Sequence, residues 1–225
     1  MSDTSAKQIA LSKLPSGGDI LVGRESELAL LDEALASEST HVISFVAWGG
    51  TGKSALVDHW MNAVSADNWR GIDRYFDWSF YSQGTRGEQG TSADLFIADA
   101  LKFFGDADPQ AGSPHDRGER LAKLAAKHRT LLILDGLEPM QFGPGPQEGL
   151  IKDPALRSLL RSIAQKPFNG LCVLTTREPV KDLERFHGTT VIEKKLENLS
   201  PLAGAKLLHL RGVDHAGAGK LKEDD

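Results

Sequence analysis

A single cysteine, Cys172, leaves no partner for an internal disulfide. It stands in an apolar run and reads as a small buried residue. No apolar stretch approaches the ~20 residues that cross a bilayer, and the segment from Met1 to Lys13 has no apolar signal core. The histidines at 41, 59, 115, 128, 187, 209 and 215 show no H-x3-H spacing and no pairing with cysteine, which excludes the usual structural zinc patterns. There is no Gly-x-Ser-x-Gly turn for a hydrolase nucleophile. Positive charge is also short: the formal net charge is −5, so no general nucleic-acid-binding surface is indicated. These absences favour a reducing, cytoplasmic setting. What remains is an ordinary globular composition, 40% hydrophobic and 25% charged over 225 residues, enough for one full α/β domain with its own core.

Apolar patterning predicts strands alternating with helices. Val42 to Ala47 is apolar at nearly every position, as in a central parallel strand covered on both faces. Phe76, Trp78 and Phe80 alternate with Asp77, Ser79 and Tyr81, a strand nearer the sheet edge. Leu131 to Asp135 and Leu171 to Thr176 are further buried strands, and Thr189 to Ile192 a short one. Helices are expected at Leu28/Leu31/Leu35, at Ile97/Ala100/Leu101/Phe104 (after a near capping box, Thr91 and Asp94) and at Leu121/Leu124/Ala125/His128. One more follows Asp153-Pro154, and another runs from Ser200-Pro201 to about Leu210. Residues 83–90 and 106–115 read as loops. The pattern implies a three-layer α/β fold around a parallel sheet.

The chemistry concentrates in Ala47-Trp48-Gly49-Gly50-Thr51-Gly52-Lys53-Ser54, which follows a strand and opens a helix. Glycines at 49, 50 and 52 remove side chains that would keep backbone N–H groups from a phosphate. The N–H groups from Gly49 through Ala55, with the first helical turn, form an anion cradle. Lys53 can reach β and γ phosphates, and the Ser54 hydroxyl can ligate Mg2+. Asp135 ends a buried strand, at the carboxyl end where ligands gather in such folds, and can hold Mg2+ through water. Glu138 is placed to orient or deprotonate an attacking water. Arg177, at the end of the next strand, can read a γ phosphate. The catalytic candidates are thus Lys53, Asp135, Glu138 and Arg177; the metal candidates are Ser54 and Asp135.

Taken in order, the motifs resemble those of STAND-class P-loop NTPases of the NB-ARC/NACHT type, with wording closest to bacterial members. Val22-Gly23-Arg24-Glu25 is similar to the family's N-terminal motif, which implies that Val22, Gly23 and Arg24 help to form an adenine pocket. Residues 47–54 resemble its Walker A loop, with Ala47 where Gly is usual. LLILDGLE (131–138) resembles its Walker B strand, and Leu174-Thr175-Thr176-Arg177 its sensor strand. Leu199-Ser200-Pro201 resembles the start of its helical subdomain. The resemblance implies a sheet of order 5-1-4-3-2 and a slow ATPase that switches between ADP and ATP, with self-association or other signalling proteins as partners and bacterial defence or regulation as a setting. The expected organisation is a flexible segment at 1–19, a nucleotide-binding domain at 20–197, the start of a helical subdomain at 198–211 and a frayed tail at 212–225. Most of the helical subdomain and the winged helix have no counterpart, so the chain reads as truncated after the nucleotide-binding domain.

Two other readings share the phosphate loop. A small-molecule kinase needs an acceptor pocket and an arginine-bearing lid; Arg117, Arg120 and Arg129 are the arginines available. A nucleotide-binding regulatory fragment would need no catalysis.

Overall fold

The computed structural model describes residues 7–10, 20–81 and 93–212. The proposed cap at Thr91 and the loop at 83–90 lie outside them. Twelve elements follow in order: β1 (Gln8–Ile9), α1 (Glu25–Ala36), β2 (Val42–Val46), α2 (Lys53–Ala66), β3 (Arg74–Ser79), α3 (Asp94–Phe103), α4 (Pro114–Ala125), β4 (Thr130–Asp135), α5 (Pro154–Gln165), β5 (Gly170–Thr176), β6 (Val191–Lys195) and α6 (Pro201–Leu210). Short 3-10 turns at Asn68–Gly71, Glu138–Met140 and Lys181–Phe186 complete the path.

All strand pairings are parallel, and the order across the sheet is β1-β3-β4-β5-β2-β6. Counting from β2, this is the expected 5-1-4-3-2 arrangement with one strand added at the β3 edge. That strand, Gln8–Ile9, comes from a segment read as a flexible tail; it pairs Gln8 with Arg74 and Ile9 with Tyr75. At the opposite edge β6 runs on to Lys195. Its second half, Glu193-Lys194-Lys195, is polar because an edge strand need not be covered on both faces.

The period-2 geometry of the strands sorts their side chains into two cores. Leu132, Leu134, Cys172 and Leu174 join Phe96, Leu121 and Leu156 on the face covered by α3, α4 and α5. Leu131, Ile133, Leu171 and Val173 join Leu31, Leu56 and Trp60 beneath α1 and α2. This is the three-layer fold the alternation predicts. Phe76, Trp78 and Phe80 pack as a group against Phe96 in the first core rather than facing solvent.

The starts of α4, α5 and α6 carry side-chain caps, from Ser113, Asp153 and Ser200. Asp153 accepts from the Leu156 N–H at 2.9 Å, and its second oxygen accepts from Ala93 N–H at 3.1 Å, so one carboxylate ties the starts of α5 and α3. Such a cap is worth about 1 kcal/mol. Ser113 and Asp116 form a reciprocal capping box at the start of α4, with Pro114 in the first turn, so the helix begins inside the loop expected at 106–115. Among the described residues, no helix is long and apolar enough to cross a membrane.

Candidate active site

The carboxyl ends of β2, β3, β4 and β5 meet at one edge of the sheet, where β2 feeds the glycine loop. Gly50 and Gly52 adopt φ of +81° and +91°, and a Cβ on either would meet nothing within 4 Å, so the loop opens onto free space. The Lys53 amine folds back along the loop and donates to the carbonyls of Ala47 (2.6 Å) and Trp48 (3.1 Å). Thr51 donates its hydroxyl to the same Trp48 carbonyl at 2.8 Å, while the Trp48 ring stands exposed.

Ser54 and Asp135, distant in sequence, are in contact: the Ser54 hydroxyl donates to Asp135 Oδ1 at 2.6 Å. Asp135 is fully buried, yet three hydroxyls converge on it. Thr175 donates to the same oxygen at 2.7 Å, and Ser79 approaches the other at 3.4 Å. Charge buried at this depth persists only when its lone pairs are used. Thr175 also accepts from the Gly136 N–H at 2.8 Å, which fixes the turn after β4. At Gly136 φ is +71°, and a Cβ there would lie 2.3 Å from the Tyr81 ring, so the turn admits no side chain.

Glu138 and Arg177 face one another across this edge, with Arg177 Nε 3.5 Å from Glu138 Oε1. The Arg177 guanidinium also lies 5.8 Å from the Tyr81 ring centroid and against the backbone of Gly49. Burial pushes the Tyr81 hydroxyl up to about 12, helped by the nearby Glu138 charge. Burial lowers Lys53 from its ordinary 10.5; Glu138 opposes that shift, Arg177 adds to it and Asp135 opposes it. The cluster thus holds two cations, Lys53 and Arg177, and two carboxylates, Asp135 and Glu138.

Val22, Gly23 and Arg24 lie elsewhere on the rim of the loop. Arg24 is buried, and its Nη2 donates to the carbonyls of Thr51 (3.0 Å) and Glu197 (2.8 Å). Gly23, at φ +68°, packs so closely under α6 that a Cβ would sit 2.8 Å from the Ala203 methyl. This motif therefore joins the phosphate loop to the chain entering α6. The arginines considered for a kinase lid are engaged away from the loop. Arg117 pairs with Asp94, Arg120 with Asp106, and Arg129 donates to the Leu35 carbonyl. Arg129 lines a cavity with Leu35, His41 and Gly170, at the opposite end of the strands.

Comparison with known proteins follows the same lines. No family model matches the sequence. Over 126 residues, 54% of this chain, it is 29% identical to the Disease resistance-like protein DSC1 of Arabidopsis thaliana, a match spanning only 10% of that protein. Among solved structures, the Aeropyrum pernix Orc1 protein in complex with DNA superposes with a TM-score of 0.59 at 20% identity, over 87% of this chain and 50% of that one. Cdc6p from Pyrobaculum aerophilum gives 0.58 at 15% identity, over 91% of this chain and 51% of that one. The fold is the three-layer, parallel-sheet P-loop NTPase fold that the sequence predicts. A chain of the Escherichia coli MS115-1 HORMA:CdnC:Trip13 complex superposes with a TM-score of 0.52 at 13% identity, over 88% of this chain and 70% of that one.

Within this fold, the site contains residues to which the motifs give no role. Thr175 and Ser79 were visible as polar residues ending apolar strands beside β4, a signal that they face the site rather than the core. Tyr81 carried a weaker one, as the exposed-face aromatic of an alternating strand.

Proposed function

We propose that this chain is an ATP- and ADP-binding switch domain of the STAND type with slow Mg-dependent ATP hydrolysis. One observation carries the reading: the hydroxyl that follows the loop lysine meets the acid that ends β4, at 2.6 Å. A phosphate loop and a metal-holding acid are useful together only when they act on one polyphosphate. The ordered motifs and the similarity to a plant disease resistance-like protein favour a signalling switch over a motor.

The residues fit the group. The open glycine loop offers backbone N–H groups, and Lys53 supplies charge to the phosphates. Ser54 and Asp135 would hold Mg2+, which when bound neutralises phosphate charge. A bare polyphosphate would meet two carboxylates; a divalent cation balances them. Among the described residues there is no group of three or more His, Cys, Asp or Glu that could hold a metal ion. Glu138 is the water-orienting residue and Arg177 the reader of the terminal phosphate. We place the protein in the cytoplasm and assign self-association or other signalling proteins as partners. The net charge of −5 supplies no general surface for DNA, and the DNA complex of the archaeal neighbour is a property of that protein.

Magnesium titration tests the assignment. Asp135→Asn should remove most of the gain in ATP affinity that Mg2+ gives the parent, about tenfold, by removing one charge-assisted contact. Identical titrations for the two proteins would take Asp135 out of the site. Binding without phosphate release would select a non-catalytic regulatory module, and turnover only with an added metabolite a kinase.

Lys53 gives a pH signature. Polyphosphate favours the protonated amine, so affinity is full below the depressed Lys53 value and is lost as pH rises through it. The loss of ADP affinity should therefore begin below the ordinary 10.5. Affinity holding flat to that pH would contradict a buried, phosphate-facing amine.

A further inference from the structure

Gln141 ends the turn that carries Glu138 and is 3% exposed. Its Nε2 lies 3.2 Å from the Gly149 carbonyl, 3.1 Å from that of Glu178 and 3.2 Å from that of Pro179. Its Oε1 accepts from the Thr176 hydroxyl. Two N–H groups serve three carbonyls, so at least one is shared, and the oxygen is used as well. A polar group this deep needs such partners, but burial alone does not dictate where they lie. Here they bracket Arg177, with Thr176 before it and Glu178 and Pro179 after it. The Gln141 N–H in turn donates to the Glu138 carbonyl at 3.1 Å, so the carboxamide is anchored to the turn presenting Glu138. Between these fixed points the Arg177 side chain remains half exposed, 3.5 Å from Glu138.

We propose that Gln141 is a positioning residue for phosphate reading. Its carboxamide ties the Thr176 side chain before Arg177 and the backbone of Glu178 and Pro179 after it to the Glu138 turn, so the guanidinium can exchange Glu138 for a terminal phosphate by side-chain motion alone. The role rests on the nucleotide-binding reading above and deepens it: Gln141 touches no ligand and acts through Arg177.

Gln141→Met, close in volume and without the amide, tests it in two arms. In the nucleotide arm, ADP affinity should stay within about twofold of the parent while the preference for ATP over ADP falls about tenfold, a usual size for coupling between groups. Arg177→Ala should lose the same preference, and the double variant should be no worse than Arg177→Ala alone. Equal losses of ATP and ADP affinity, or losses that add in the double variant, would overturn the proposal and leave a staple of general stability. The second arm uses the protein without nucleotide. Amide exchange at 177–181 should quicken at least about tenfold in Gln141→Met, with the centres of β2 and β4 unchanged. Unchanged exchange at 177–181 would show that the amide does not hold this segment. A parent that binds neither nucleotide would end the phosphate-reading role together with the reading it rests on, while the exchange arm still decides whether the clamp exists.

Discussion

Replacing Lys53 with alanine should abolish detectable binding of both ATP and ADP. The amine is a buried cation seated in the glycine loop, 2.6 and 3.1 Å from two loop carbonyls and close enough to Glu138 and Asp135 to feel both charges. Losing its charge-assisted contacts to phosphate should weaken either nucleotide by about 100-fold or more, about 2.7 kcal/mol. The fold should survive, because the Trp48 carbonyl that loses the amine still accepts from Thr51 and the sheet is built from other residues. Titration with labelled nucleotide, beside a far-UV melting curve, separates lost binding from lost structure. Equal affinities for parent and variant would remove the loop from the site.

Gly118→Ala should cost more stability than other one-methyl changes on the helix surfaces. Two effects compete. Alanine is the better helix former, by about 1 kcal/mol. Against that, a Cβ at 118 would sit 2.1 Å from the Ala155 carbonyl oxygen and 2.9 Å from Ser158 Cβ. The obstacle is backbone of α5, which no rotamer change can move. Overpacking against a rigid neighbour costs about 1–3 kcal/mol and sometimes more; a 2.1 Å contact with backbone stands at the top of that range, so the clash wins and the net loss should be about 2 kcal/mol. In a domain of this size that lowers Tm by about 4–8 °C. An unchanged or raised Tm would show that α4 and α5 separate freely. Nucleotide affinity should not change, since this interface lies on the face of the sheet away from α2.

The parts of this architecture that were legible in the sequence are those where one physical demand acts alone. A strand buried on both faces must be apolar throughout, which exposed β2, β4 and β5; a loop that approaches phosphate must shed side chains, which exposed 49–52. Where two demands compete, the signal thins. The second half of β6 is polar because it lies at an edge. Gln8–Ile9 is too short to show a period. The start of α4 was written plainly in Ser113-Pro114 and Asp116, but those residues sat in a polar stretch and read as loop. Within the site, the residues that end strands were legible and their supports were not. Asp135 announces itself by closing an apolar run. The carboxamide of Gln141 does not, because its partners come from the turn after Phe142 and from the end of β5. Arg24 is similar: nothing in its sequence neighbours shows that its side chain serves carbonyls at Thr51 and Glu197.

The strand at Gln8–Ile9 has a bearing on how the molecule tolerates trimming. Its amides, through Gln8 and Ala10, occupy the carbonyls of Asp73 and Tyr75. A protease that clipped the chain just past Ala10 would lay that selvedge bare and offer a neighbouring molecule a ready template for strand addition. The glycine loop, at the other end of those strands, would be untouched, so such a product would betray itself by clumping while that loop stayed intact.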